Sequence, residues 1–183
     1  MRLERVSMDV HEAGHAVVAM ALGRCVGHIK TQIQVQGREA ASIDMPPRRR
    51  LRTFRELADG SFLLDNGEHS RRRRAHVEIC MLLGGHEAER QILPGLIVPG
   101  SDSSDREAIA KILPSGLRAG QSEAELLRRL EQRTAQLVAR HRGLINYISG
   151  ELGLNGGASP EQLRSYWRER ELCERPHWRR KRA

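Results

Sequence analysis

The segment His11-Glu12-Ala13-Gly14-His15 fits the pattern H-E-x-x-H. Residues four apart on an α-helix lie about 40° apart around its axis and ~6 Å along it, so both imidazoles can bind one metal ion. Glu12 then lies beside the ion, where its carboxylate can take a proton from a metal-bound water. A chain of this composition contains about 0.03 such matches by chance. The pattern therefore indicates a metal site, and zinc is the ion it favours.

A zinc site of this kind needs a third protein ligand, which leaves the fourth position for water. The extension HxxGxxH, which supplies a third histidine from the same segment, is absent. The third ligand must therefore come from a distant part of the chain. The candidates are His86, Glu87, Glu89, Asp102 and Asp105. Their charges alone do not identify which of them is the ligand.

The apolar residues around the pattern recur every three or four positions, which predicts a helix over 4–22 that ends at Gly23. Residues 29–35 alternate in polarity and predict a short strand, paired as a hairpin with 38–44. Pro, Gly and Arg residues interrupt the next segment too often for a long element. We expect a loop from Met45 to about Gly67, with one short helix at 53–58.

Further helices are predicted downstream, the first of them over about 69–92. Its paired glycines, Gly84-Gly85, would let another backbone approach closely. Amphipathic spacing predicts one long helix over about 123–150. Capping-box patterns predict three helix starts, and they are Ser104…Glu107, Ser122…Glu125 and Ser159-Pro160…Gln162.

Three motifs lie in a fixed order along the chain: HEAGHA at 11–16, GGHEAE at 84–89 and GSDSSDREA at 100–108. They resemble the HEAGHA, GGRxAE and GxSND motifs of the peptidase domain in FtsH-type ATP-dependent zinc metalloproteases. The resemblance extends over nearly the whole chain, to the final long helices. It implies a helical zincin domain, mainly α with a small β-hairpin (α+β).

Carried over by position, the resemblance implies that His11 and His15 are zinc ligands and that Glu12 is the catalytic acid/base. It implies Asp105 as the third ligand and the strand at 29–35 as the substrate-binding edge strand. Two departures are clear: His86 replaces the usual Arg of the GGRxAE motif, and the third motif is one residue longer than GxSND.

The extra residue leaves Asp102 as an alternative third ligand. We favour Asp105, because Ser104 as the N-cap would place Asp105 in the first turn of the helix, as in the family pattern. Glu89 is a candidate for orienting a ligand histidine through its free ring nitrogen, and a surface ion pair is the alternative. For His86 we favour a satisfied polar residue over a fourth ligand.

The length of 183 residues suits one domain, 1–174, followed by a basic tail at 175–183 that we expect to be flexible. No apolar run approaches the ~20 residues of a membrane-spanning helix, and Asp9 and Glu12 lie where a signal peptide is apolar. The three cysteines are far apart and odd in number, which argues against a disulfide framework. We therefore expect a cytoplasmic protein without a membrane span.

The net charge of +8 comes from two segments, 46–74 and the tail 175–183. Neither segment interleaves its arginines with the aromatic residues on which bases stack. We therefore interpret both mainly as solvated surface, and we favour this interpretation over a nucleic-acid site. The run Arg71–Arg74 belongs to this solvated surface, as one flank of a helix.

These observations predict a stand-alone zinc metalloendopeptidase that hydrolyses peptide bonds in unfolded or flexible protein segments. No GxxxxGK[ST] phosphate loop occurs in the chain, so we expect ATP-independent cleavage or a separate ATPase partner. A homo-oligomer is a further possibility, since the family assembles as rings. The alternative is a non-proteolytic binding or regulatory protein whose Arg-rich segments dock an acidic partner or nucleic acid.

Overall fold

The computed structural model describes residues 2–35, 38–43, 54–56, 62–64, 68–96 and 100–174. The basic tail predicted at 175–183 and most of the loop predicted at 45–67 lie outside the described residues. The fold is mainly helical with small antiparallel sheets, as predicted. The helices are α1 (Arg2–Ala21), α2 (Glu68–Ile92), α3 (Ser103–Ile112), α4 (Glu123–Arg140), α5 (Arg142–Asn155) and α6 (Pro160–Glu174), with a 3₁₀ turn at Leu113–Gly116 after α3.

The central helix is α1, which packs against α2, α5, α4 and the β-sheet. Its small and β-branched residues are buried on several sides, which suits a helix surrounded by other elements. The completely buried members are Ala13, Ala16, Val17, Val18 and Ala19. No helix in the described part of the chain is both long enough and apolar enough to cross a membrane.

The predicted hairpin is present: β1 (Ile29–Val35) and β2 (Arg38–Ile43) pair antiparallel. A two-residue strand, β5 (Gly157–Ala158), pairs with the other side of β1 and completes the order β2-β1-β5. The β5 partners are Ile29 and Lys30 alone. The start of β1 is therefore flanked on both sides, and along its remaining residues β1 has β2 as its partner in the described structure.

The short helix predicted at 53–58 is wrong. Phe54–Glu56 is a strand, β3, that pairs antiparallel with β4 (Phe62–Leu64). An isolated helix of so few residues is marginal, because nucleation fixes several backbone angles for one hydrogen bond. Antiparallel pairing of these two short segments supplies backbone hydrogen bonds instead.

The single helix predicted over 123–150 is also wrong, because the chain breaks at His141 into α4 and α5. The buried residues of α4 pack mainly toward α2, whereas α5 packs mainly against α1. One straight helix could not present its apolar residues to both neighbours. At the break, the ring of His141 contacts Trp167 of α6, with ring centroids 5.0 Å apart.

Two of the three predicted capping boxes are confirmed. Ser122 accepts from the Glu125 amide and Ser159 from the Gln162 amide, and each glutamate or glutamine side chain accepts from the cap amide in return. Ser104 is not an N-cap, because α3 begins at Ser103 with Asp102 as its N-cap. Asp105 nevertheless lies in the first turn of α3, as predicted.

The arginine run at the start of α2 lies on the surface, as predicted. Arg71, Arg73 and Arg74 are exposed, and Arg72 is half-buried. Solvation of these guanidinium groups is consistent with a helix flank rather than with a buried site.

Candidate metal centre

His11 and His15 of α1 meet Asp105 of α3 at one point. The Nε2 atoms of both histidines lie 3.2 Å from Asp105 Oδ2. One ligand atom from each of the three residues falls within 4.8 Å of the others. His11 is buried, and His15 and Asp105 are half-buried. This cluster could hold a metal ion, and it comprises the three ligands that the sequence predicted.

The spacing of the three donor atoms fits a tetrahedral zinc ion. Two ligand atoms that each lie 2.0–2.2 Å from such an ion are separated by about 3.3 Å. The two nitrogen-to-oxygen distances of 3.2 Å match this separation. The two imidazole rings are also nearly perpendicular, with centroids 4.5 Å apart, so that both direct a ring nitrogen to Asp105. Two imidazoles with one carboxylate form a donor set that zinc binds readily.

A close crossing of α1 and α2 brings backbone against the two histidines. A Cβ on Gly14 would clash with Ala88 and with the carbonyl oxygen of Gly84, so the two helices touch at these positions. A Cβ on Gly85 would lie 2.5 Å from His11 Nε2 and 2.6 Å from His15 Nε2. The paired glycines therefore permit the close approach that the sequence predicted, and Gly85 lies directly against the ligand rings.

The second ring nitrogen of each histidine also has a defined neighbour. His15 Nδ1 lies 2.6 Å from the carbonyl oxygen of Met81, to which it can only donate. This hydrogen bond turns His15 Nε2 toward Asp105, so Nε2 is the ring nitrogen available to a metal ion. His11 Nδ1 lies 3.3 Å from Oε2 of Glu89. A carboxylate behind a ligand histidine fixes the ring and raises its basicity.

Glu89 is a buried carboxylate held from three sides. Its side chain is 1% exposed, and Ser7 of α1 donates to its Oε1 at 2.6 Å. Ser101, which precedes α3, donates to its Oε2 at 3.0 Å. Burial raises the pKa of Glu89, but His11 and the two hydroxyl groups outweigh that effect and lower it. Glu89 thus remains ionised, and it links α1 and α2 to the segment that leads into α3.

Without a bound ion, the charged side chains of the cluster shift one another's pKa values. Burial alone lowers the pKa of His11, but hydrogen bonds with Asp105 and Glu89 outweigh it and raise the pKa to about 10. Burial raises the pKa of Asp105, and the two histidines lower it well below its usual range. A proton on His11 therefore occupies the place of a metal cation, and the ion must displace it.

Glu12 follows His11 on α1 and is half-buried. Burial raises its pKa, while the nearby histidines act in the opposite direction. A carboxyl group with a raised pKa accepts a proton from a reacting group more readily. The predicted role of Glu12 as acid/base remains a prediction.

The other candidates for the third ligand lie outside the cluster. Asp102 is ion-paired with Arg106 and lies 3.7 Å from His86 Nδ1. Glu87 forms an ion pair with Arg90 at 2.6 Å. The structure therefore favours Asp105, because it is the carboxylate whose oxygen lies between the two imidazoles.

Sequence reasoning missed the two hydroxyl groups that hold Glu89. Ser7 precedes His11 by four residues, so the helical spacing placed both on one face of α1. Ser101 precedes Asp105 by four residues and lies in the third motif. Their target could not be read from spacing, because Glu89 belongs to a different helix.

Comparison with known proteins found no matching family model and no matching curated protein.

Proposed function

We propose that this protein is a zinc-dependent peptide hydrolase of the FtsH-peptidase type. The observation that carries the proposal is the convergence of His11 Nε2 and His15 Nε2 on Asp105 Oδ2 at 3.2 Å, with Glu12 on the same helix. The donor set and spacing fit zinc, and the order of the three sequence motifs supports the family resemblance.

Zinc, when bound, would act as a Lewis acid that polarises a carbonyl group, and it would lower the pKa of its bound water towards ~7. Glu12 acts as the general base that removes a proton from the attacking water. It then returns the proton to the leaving amine. Burial raises the pKa of Glu12, which favours transfer of the proton to its carboxylate.

The residues behind the ligands keep this geometry. Met81 holds the His15 ring through its carbonyl oxygen, and Glu89 faces the other nitrogen of His11. Because these partners lie on α2, the α1–α2 crossing preorganises both rings. The site then needs little rearrangement when metal binds.

The substrate we propose is an extended, flexible peptide segment. Within the described structure, β5 covers only Ile29 and Lys30 of β1. The following residues of β1 offer backbone groups to an added strand, as in β-augmentation. Folded substrates would require a separate ATPase to unfold them, since an extended segment is needed.

The proposal also includes a cytoplasmic location and assembly of the chain as a homo-oligomer.

The test is the substitution Glu12→Gln, compared with Glu107→Gln on the exposed surface of α3. Glutamine keeps the size of the side chain but cannot accept the proton from water. We expect Glu12→Gln to retain zinc and to lose about 10²–10⁴ in the rate of peptide cleavage. The measurements are zinc content by elemental analysis and cleavage of casein and short unfolded peptides.

The matched variant Glu107→Gln should retain both zinc and activity. Loss of zinc together with activity in Glu12→Gln would assign Glu12 a structural role. Absence of cleavage by the unmodified zinc-loaded protein across about pH 6–9, with candidate ATPase partners supplied, would refute the peptidase proposal. Retention of zinc in that case would still support the metal site.

A further inference from the structure

A surface groove separates the end of α1 from the first half of α6. One wall consists of Met20 and residues 23–26, where the chain leaves α1. The other wall is one face of α6, and it includes Leu163, Trp167 and Arg168. The α6 residues recur at spacings of three and four, so they face the same side of the helix. The groove shares no residue with the candidate metal cluster.

The base of the groove is apolar and well supported. Leu163 is 1% exposed and Val26 is 6% exposed. Met20 and Trp167 pack against the hydrophobic core, and the ring contact with His141 orients the indole. This surface can accept one aliphatic or aromatic side chain without rearrangement of the helices.

The polar lining of the groove is cationic. Arg24, Arg164 and Arg168 line it, and no acidic residue is found among the described residues that do so. Arg164 contacts Glu161 at 2.5 Å, but the side chains are 52% and 73% exposed, so this ion pair contributes little stability. An incoming carboxylate can therefore share or replace Glu161 at small cost.

We propose that this groove binds a linear acidic segment of another protein, with one apolar side chain seated between Met20 and Trp167. Arginine forks bind carboxylates in a bidentate manner, and three of them around an apolar base match a peptide that has acidic residues on both sides of its anchor. The chain's own residues 175–183 are basic and contain no acid, so they do not complement this lining.

Nucleic acid fits the groove less well than a peptide. Single-stranded nucleic acid binds where several aromatic rings stack successive bases along a cationic track. Trp167 is the one aromatic residue that lines the groove in the described structure. An apolar base that holds a single side chain is typical of peptide recognition.

The first experiment measures binding of a fluorescein-labelled acidic peptide with one central leucine, by fluorescence anisotropy. A comparison peptide replaces every carboxylate by an amide. We expect the acidic peptide alone to bind, and Arg24→Glu/Arg168→Glu to weaken it by about tenfold or more. The matched variant Arg128→Glu/Arg140→Glu has the same change in net charge on the exposed face of α4. It should leave the affinity within about twofold at physiological salt, because distant charges are screened.

The second experiment needs no change in the arginines. Cys25 lines the groove and is exposed, whereas Cys80 is buried. In a Cys173→Ser background, the acidic peptide should slow alkylation of Cys25, and the amide peptide should not. This readout does not depend on how the arginine variants fold.

Three results would overturn the proposal. The first is equal loss of affinity in both double variants, which would indicate only a general charge effect. The second is displacement of the peptide by a single-stranded oligonucleotide at lower concentration than by unlabelled peptide, which would make the groove a nucleic-acid surface. The third is absence of binding and of Cys25 protection. None of these measurements depends on zinc or on peptide cleavage.

Discussion

The substitution Gly85→Ala tests how closely α2 approaches the metal ligands. A Cβ at this position would lie 2.5 Å from His11 Nε2, 2.6 Å from His11 Cδ2 and 2.6 Å from His15 Nε2. Carbon and nitrogen atoms prefer a separation near 3.5 Å, so the rings must move by about 1 Å. A zinc–nitrogen bond tolerates only ~0.2 Å. We therefore expect zinc affinity to fall by about 100-fold or more.

The fold should survive this substitution, because the atoms that must move are the ends of two side chains. Alanine also has a helix propensity about 1 kcal/mol better than glycine, which offsets part of the strain. At a zinc concentration of 100 times the wild-type Kd, zinc should stabilise the wild-type protein by about 2.7 kcal/mol. It should stabilise the variant by about 0.4 kcal/mol, if the Kd is 100-fold weaker.

The assay combines a zinc titration against a chromophoric chelator with denaturant unfolding in the presence and absence of zinc. Gly150→Ala is the matched control, because a Cβ there meets no atom within 4 Å. It should leave zinc affinity unchanged and raise the free energy of unfolding by about 0.5–1 kcal/mol. Wild-type zinc affinity in Gly85→Ala would refute the packing of α2 against the ligand rings.

The remaining predictions concern the ligands and the carboxylate behind them. The affinity for zinc should rise about tenfold per pH unit between about pH 7 and pH 9, because zinc must displace a proton from His11, whose pKa is raised to about 10. Calorimetry in buffers of different ionisation enthalpy should detect release of about one proton. Asp105→Ala should abolish stoichiometric zinc binding, and Asp102→Ala should retain it, as measured by elemental analysis. Glu89→Gln should weaken zinc binding by about 10–100-fold, because the amide cannot support the His11 imidazole as the carboxylate does.

Each of these predictions has a clear contrary result. A zinc affinity that is independent of pH over this range would mean that His11 carries no proton in the metal-free protein. Loss of zinc in Asp102→Ala, with retention in Asp105→Ala, would transfer the third-ligand role. Unchanged affinity in Glu89→Gln would make Glu89 a link between helices without influence on the metal site. The paired aspartate variants are matched, because both residues lie at the start of α3.

The helix that carries His11 and His15 was predictable from sequence, and so was the placement of both imidazoles on one face. These properties depend on residues a few positions apart, and helical geometry relates such residues directly. The capping boxes at Ser122 and Ser159 were predictable for the same reason, since the cap and its partner are three residues apart. The convergence of Asp105 on the histidines was expected from the order of three motifs, not from any local rule.

Only the tertiary structure decided where α4 ends and α5 begins. The break at His141 follows from the need to pack one apolar segment on α2 and the next on α1, and local periodicity does not contain those partners. The strand at Phe54–Glu56 likewise depends on pairing with Phe62–Leu64, which outweighs local helix formation.

The surroundings of the candidate site were decided in the same way. Glu89 is separated in sequence from both Ser7 and Ser101, and neither serine lies on its helix. Its ionised, buried state depends on both hydroxyl groups and on His11. A sequence pattern specifies which side chains share one helix face. It does not specify which face of another helix they meet, because that choice is made by the packing of the whole core, including the glycine contact between α1 and α2.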